Sequence, residues 1–479
     1  MGQSSSTVGS GWTTTKGEDT GSGSDDGTKH PRPEELPILK KAKGHYWYPK
    51  KGHKILDACG GAGVACIGHG NKDVIKAIHK QMKQYTYASY AHFSTRPVQD
   101  LSDWLIKSTG GKMQKVYLMC SGSEAVEAAL KLAIEYHVWN NQPSRVNFIA
   151  REHSYHGTTL GSLSASGHFA RREPFKQVLN AARFHHIPAC NAYRGRLYAG
   201  ESDLDLLHRK VAELEDMFKK LGPATVAAVV LEPVVGAALG CVPAVRGYLQ
   251  EVKAVCRKHG ALLILDEVMC GMGRTGVLHA WQGEAGDCVP DLQAVAKGFA
   301  GGYQPASALL VGASVVEVME REGKVFTHGH TYQNHPVVAA AALAVQKYME
   351  RRGYVWICRA QGVYLEDLLR KKLAEHPNVG DIRGRGLFWG VEFVMSKRTQ
   401  VPFKPYLKVA ERVHRTALKD FNLLVYHGQG CAGNGAGDHI MIMPPYNITR
   451  QGIRKIVERI TKAIEKVFLE VAEELAAER

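Results

Sequence analysis

No stretch of this chain is apolar for long enough to cross a bilayer, no two cysteines stand at Cys-x-x-Cys spacing, and no unit of sequence repeats. The first absence excludes a helical transmembrane segment. The second leaves no signature of a zinc site or other metal centre, and the third argues against a solenoid or propeller. The ten cysteines are scattered over 479 residues and no secretory signal opens the sequence, so a reducing compartment, the cytoplasm, is expected. Clustered basic charge is missing too. Lys and Arg outnumber Asp and Glu by 61 to 46, with a pI near 9.2, which would permit binding to nucleic acid. The excess is spread along the chain without a recognition module, so nucleic acid is not an expected partner.

What the chain does have is a hydrophobic content of 44%, enough for a large core and more than one lobe. Residues 1–33 are the exception: rich in Ser, Gly and Thr, they read as a disordered tail. Their start, Met1-Gly2-Gln3-Ser4-Ser5-Ser6, fits the pattern for N-myristoylation at Gly2, and Lys40, Lys41 and Lys43 would add attraction to anionic lipid.

The most informative segment is Ala261-Leu262-Leu263-Ile264-Leu265-Asp266-Glu267-Val268. An unbroken apolar run of this length reads as a strand buried on both faces of a parallel sheet, with Asp266 at the carboxyl end, where open α/β sheets bind ligands. A buried carboxylate needs a cationic partner. Pyridoxal phosphate supplies one, because an Asp against its pyridine nitrogen keeps the ring protonated and electron-withdrawing while a Lys takes its aldehyde. Residues 287–296 read as a second buried strand that ends just before Lys297, and Gly298, Gly301 and Gly302 leave little bulk around that amine. A phosphate cup should accompany them. Residues 116–120 read as a strand, Ser121-Gly122-Ser123 as a turn, and residues 124–137 as a helix, which sets small residues and free backbone N–H groups at a helix N-terminus. Taken alone, the same residues describe an ordinary Ser cap with Glu124 in the first turn.

From Leu36 to Ala463 the chain resembles the class III aminotransferases, pyridoxal-phosphate enzymes of fold type I. The resemblance is carried by Leu56-Asp57-Ala58 through Gly68-His69-Gly70, Ser121-Gly122-Ser123-Glu124-Ala125, Tyr155-His156-Gly157, Glu232-Pro233, Asp266-Glu267-Val268, Gly271-x-Gly273-Arg274-Thr275-Gly276, Lys297-Gly298 and His330-Thr331-Tyr332. It implies an α/β fold whose mostly parallel central sheet is flanked by helices. A large cofactor-binding domain is expected over 93–335, and a smaller α+β domain from 34–92 together with 336–479. It further implies that Lys297 is the Schiff-base lysine and proton shuttle, that Asp266 pairs with the pyridine nitrogen, and that Val268 and Tyr155 lie on the two faces of the ring. Ser121, Gly122 and Ser123 match phosphate-holding positions, and Glu232 is expected near the cofactor. Thr331 matches a phosphate ligand that arrives from the neighbouring subunit, so a homodimer is implied. Arg274 reads as a structural ion-pair partner, His156 as an orienting residue, and Gly428 to Asp438 as a mobile loop.

Departures from the family pattern bear on substrate. Where ornithine- and GABA-type members have a Glu and a Gln, this chain has Ala237 and Met269, and where a carboxylate-gripping Arg precedes the Pro-Pro pair it has Met441. No Arg occurs from Tyr426 through Tyr446. A bidentate carboxylate clamp needs that fork-shaped cation. The expected reaction is therefore transfer of an amino group from a primary amine with a hydrophobic body to a keto acid or aldehyde, with Val64, Tyr90 and Phe93 lining the substrate pocket. Arg96, Arg194 and Arg196 are the alternatives for holding a carboxylate. Two other readings stand beside this one. An aminomutase of the same fold would turn over without a second substrate, and a basic interaction protein without turnover would lack the visible absorbance of bound cofactor.

Overall fold

The computed structural model describes residues 36–198, 200–284 and 288–477, so the tail 1–33 and the acylation motif at Gly2 lie outside the described residues. Its centre is a seven-stranded sheet, whose strands we number β1 (Met113–Met119), β2 (Asn147–Arg151), β3 (Phe184–Ile187), β4 (Val226–Leu231), β5 (Leu262–Asp266), β6 (Leu292–Val295) and β7 (Ser307–Gly312). Their spatial order is β1-β7-β6-β5-β4-β2-β3. Only β7 runs against its neighbours, pairing antiparallel with both β6 and β1. The sheet is thus mostly parallel, as the apolar runs suggested.

Every residue of β4 and β5 is buried, because helices cover both faces. Ala228 and Val230 of β4 and Ile264 of β5 pack under the helix Gly122–Trp139 through Val126, Ala129 and Leu130. Val229, Leu231, Leu263 and Leu265 point the other way, into a cluster with Leu207 and Leu214 of the helix Asp203–Leu221 and Leu249 and Val252 of the helix Tyr248–His259. At about 1.5–3 kcal/mol for each fully buried aliphatic side chain, this two-sided packing fixes the sheet whose ends carry the site. β6 is shorter than expected: its four residues follow Asp291, whose carboxylate accepts the Leu263 N–H at 2.8 Å and the Lys253 ammonium at 2.6 Å. A charged residue so engaged closes the strand at its entry.

Both ends of the chain build the remaining sheets. Leu39–Lys43, Tyr46–Pro49 and Ile55–Asp57 form a sheet with Leu423–Leu424, which lies parallel to Ile55–Asp57. Val379–Arg385, Phe388–Phe393, Ala436–Ile442 and Tyr426–Gly433 form an antiparallel one. The expected loop over Gly428–Asp438 is therefore a β-hairpin. Its pattern is not hydrophobic because neighbours already fill the side-chain positions: a Cβ at Gly428 would stand 2.4 Å from the buried His439 ring, and one at Gly437 2.5 Å from the Ala432 nitrogen. Gly437 also has φ +93, open only to glycine at low cost.

Arg274 is buried where these parts meet. Its guanidinium donates to the carbonyls of Leu387 (3.0 Å), Pro444 (2.7 Å) and Gly63 (3.2 Å) and lies 4.5 Å over the Tyr446 ring. Instead of the expected ion pair, among the described residues it has carbonyl and aromatic partners from three segments distant in sequence. Carbonyls suffice because five donors on one planar cation can reach several chain ends at once.

Candidate active site

β1, β4, β5 and β6 deliver Ser121, Glu232, Asp266 and Lys297 from just beyond or at their carboxyl ends, the position at which such sheets bind ligands. The four converge on a cavity of about 380 Å³. Gly122, Ser123, Tyr155, Val268 and Val64 share its wall, so nine of the twelve residues singled out from the sequence are brought together. Tyr90, Phe93 and Thr331 are not: all three are exposed and stand outside this cavity. They lie on two surface segments that touch each other, for the Tyr87 hydroxyl donates to the Thr331 carbonyl at 3.0 Å and the Tyr90 hydroxyl sits against Gly329.

Asp266 is held by local geometry. One carboxylate oxygen accepts the Val268 N–H at 3.0 Å, and the other meets His156 Nδ1 at 2.8 Å. The His156 backbone N–H donates in turn to Ser166 Oγ at 2.8 Å, which makes His156 a bracket for the carboxylate. Strand alternation sends the next residue away. Glu267 accepts the Trp281 and Ala280 N–H groups at 2.8 and 2.6 Å, and burial pushes its carboxyl up to about 7. Two adjacent carboxylates thus have separate duties, one facing the cavity and one holding the following helix.

Lys297 follows β6 with φ +49, a left-handed conformation that a non-glycine residue holds at a cost of about 1 kcal/mol or more. Burial lowers its amine to about 8, an effect that Asp266 and Glu232 oppose and Arg171 reinforces. An amine lowered this far is a free nucleophile and base from about pH 8 upward, well below the range in which a solvated lysine loses its proton. Glu232 accepts the Tyr155 N–H at 3.0 Å and the Gly236 N–H at 2.9 Å, and burial raises its carboxyl. It braces the loop that carries Tyr155.

At the other end of the cavity, Ser121 caps the helix Gly122–Trp139 in a capping box: its hydroxyl accepts the Glu124 N–H at 3.2 Å, and the Glu124 carboxylate accepts the Ser121 N–H at 2.7 Å. The plain capping role and an anion site coexist here. The cap leaves the N–H groups of Gly122 and Ser123 at the helix start, facing the cavity without an acceptor among the described residues. Ser123 Oγ accepts the Thr158 N–H at 3.0 Å, and a Cβ at Gly122 would approach Val268 Cγ1 to 2.7 Å. Glycine is needed for helix and strand to come this close.

The residues present fit pyridoxal phosphate. A fixed carboxylate, a desolvated lysine, unpaired N–H donors for a phosphate, and Val268 and Tyr155 to flank a ring all share one cavity of ligand size. Three features were not singled out from the sequence. Cys120 and Thr158 border the phosphate end, and Arg171 lies with its guanidinium carbon 4.4 Å over the Tyr155 ring. Nothing in the pattern Phe169-Ala170-Arg171-Arg172 marks it, since its place depends on a short helix that folds back over Tyr155. The alternatives for a carboxylate clamp are engaged elsewhere: Arg96 pairs with Asp100 at 2.7 Å, Arg194 with Glu392, and Arg196 with Asp203 and the Glu201 carbonyl.

Fold and site together define a pyridoxal-phosphate-dependent transaminase. The sequence pattern of the family described as aminotransferase class-III matches residues 29–464, and the chain belongs to that family. It is 46% identical over 435 residues to an aminotransferase of Gibberella zeae, covering 90% of this chain and 84% of the relative. Among solved structures it is similar to an amine transaminase from an uncultivated Pseudomonas species in its pyridoxal-phosphate-bound form (TM-score 0.85, 28% identity, 94% of this chain and 100% of the other). It is also similar to a thermostable omega transaminase in which a tryptophan is replaced by glycine, engineered for asymmetric synthesis of enantiopure bulky amines (TM-score 0.85, 30% identity, 91% and 95% covered).

Proposed function

We propose that this aminotransferase takes its amino group from a primary amine with a hydrophobic body and passes it to a keto acid or aldehyde in a ping-pong sequence. The observation that carries the reading is the side of the cavity formed by Val64, Ala237 and Met269, which is uncharged and backed by the buried Met441, Met443 and Phe388. A donor carboxylate would find no cation there. The engineered relative that serves for bulky amines gave up a tryptophan for glycine, and a residue as small as Val64 is in keeping with room for such a donor.

When bound, pyridoxal phosphate supplies the electron sink. The chain supplies the rest. Lys297 would hold the cofactor through its aldehyde and serve as the base that moves the proton; Asp266, steadied by His156, would keep the pyridine nitrogen protonated; Ser121, Gly122 and Ser123 would hold the phosphate; and Val268 and Tyr155 would flank the ring, with Glu232 as a brace. Thr331, Tyr90 and Phe93 complete the partner's cavity in a homodimer. Their shared exposure on two touching segments supports that arrangement. The large domain spans 93–335 and the smaller one joins 34–92 to 336–479, and ten unpaired cysteines are in keeping with a cytoplasmic location.

Supplied with amine alone, the cofactor-loaded enzyme is expected to complete one half-reaction and stop until a carbonyl acceptor is added, as followed by absorbance. Sustained product formation without an acceptor would favour an aminomutase. In a donor panel with one acceptor, kcat/KM is expected to be higher for hydrophobic amines than for ornithine, GABA or glutamate, and Val64→Trp should penalise the bulkiest donors selectively. A strong preference for glutamate that Val64→Trp leaves unchanged would refute the donor assignment.

A further inference from the structure

A ping-pong enzyme receives two substrates in one cavity, so a site with an uncharged donor wall must still recognise an acceptor that is a keto acid. We infer that Arg171 is the specificity-determining residue for that acceptor and takes its carboxylate at the rim of the cavity, beside Tyr155. This deepens the function proposed above and rests on it.

Arg171 stands apart from the other arginines considered for this role. Arg96, Arg194 and Arg196 all have carboxylate partners, whereas Arg171 has no carboxylate within ion-pair distance among the described residues. Its contacts are the face and hydroxyl of Tyr155, a residue that lines the cavity, and its Nε is buried without an acceptor. A guanidinium with five donors that sits over a ring has donors to spare for a carboxylate, which it can bind in two-pronged fashion. Its neighbours do not compete. His168, just before it, is held neutral by burial, with its imidazole down at about 4. Tyr155, over which the guanidinium lies at 4.4 Å, and Lys297 line the same cavity, so a carboxylate held beside Tyr155 shares the space that the reacting amine faces.

The arrangement explains how one cavity can serve both partners in turn. A hydrophobic amine occupies the side of Val64, Ala237 and Met269 and leaves Arg171 solvated on Tyr155. A keto acid places its carboxylate on Arg171 and its small body in the same space.

The test compares pyruvate with propanal, which lacks only the carboxylate, in the acceptor half-reaction of the amine-loaded holoenzyme. Arg171→Leu is expected to lower the ratio of second-order rate constants, pyruvate over propanal, by roughly 10- to 100-fold, the range for losing a charge-assisted hydrogen-bonded contact. Arg171→Lys should recover part of the ratio. Any effect of the lost charge on Lys297 falls on both acceptors and cancels. Arg172→Leu, which removes the same charge one residue along, should leave the ratio where it was. As a readout separate from turnover, calorimetric titration of the holoenzyme should show 3-phenylpropionate binding at least tenfold more weakly in Arg171→Leu, with 3-phenylpropionamide unaffected. An unchanged ratio, or an equal loss for both acceptors, would overturn the assignment. If wild-type enzyme reacts with neither acceptor, it is the aminotransfer reading that fails.

Discussion

Lys297→Ala is expected to abolish amino-group transfer, by at least about four orders of magnitude, while the protein keeps its fold and secondary structure by circular dichroism. The loss follows from chemistry that no neighbour can replace, since Lys297 is the only lysine on the cavity wall among the described residues. Stability should not fall, because the φ of +49 is no harder for alanine than for lysine and a poorly solvated amine is removed. The sign of the pH effect is also set. With the amine near 8 it is protonated below that value and a free nucleophile above it, so the rate at which cofactor-free wild-type protein captures pyridoxal phosphate should climb with pH and level off past about 8. Turnover close to wild type in the alanine variant would remove the lysine assignment altogether.

Asp266→Asn is expected to retain cofactor but lose about a thousandfold or more in the rate of the half-reaction with amine, corresponding to several kcal/mol of lost carbanion stabilisation. The substitution is a clean probe of charge. Asparagine can keep the bond from the Val268 N–H and a contact with His156, both of which fix the side chain in the wild type. What it cannot do is hold a proton on a pyridine nitrogen by electrostatics. Single-turnover kinetics with a saturating amine would measure the step directly, and a nearly neutral result would mean that the ring nitrogen is not paired as proposed.

Much of this site was legible because its chemistry sits at strand ends. An apolar run announces a doubly buried strand, and Asp266 and Lys297 stand out against it as charges that need a reason to be there. The Ser121-Gly122-Ser123 turn was readable by the same logic of strand followed by helix. Arg171 was not, since it reaches Tyr155 through a tertiary fold-back with no sequence period of its own. The hairpin of Tyr426–Gly433 and Ala436–Ile442 escaped for a related reason. Its glycines look like those of a loop, and only tertiary neighbours, the buried His439 ring against Gly428 and Ala432 against Gly437, explain why side chains are missing there. Tyr90 and Phe93 show the limit most clearly: expected on the cavity wall, both stand exposed outside it, on a segment that touches the one carrying Thr331.

The pairing of Ile55–Asp57 with Leu423–Leu424 has a temporal consequence. The strand that leads into Val64 leaves the ribosome long before its parallel neighbour, because all the segments of the central sheet lie between the two in the chain. At roughly 5–20 residues per second, the early strand waits on the order of tens of seconds for its partner, while the central sheet can assemble from segments made in between. The strand before Val64 is therefore paired only after the central sheet has been made, and a nascent chain halted shortly before Leu423 would carry Lys297 and Asp266 but leave Ile55–Asp57 without its parallel partner.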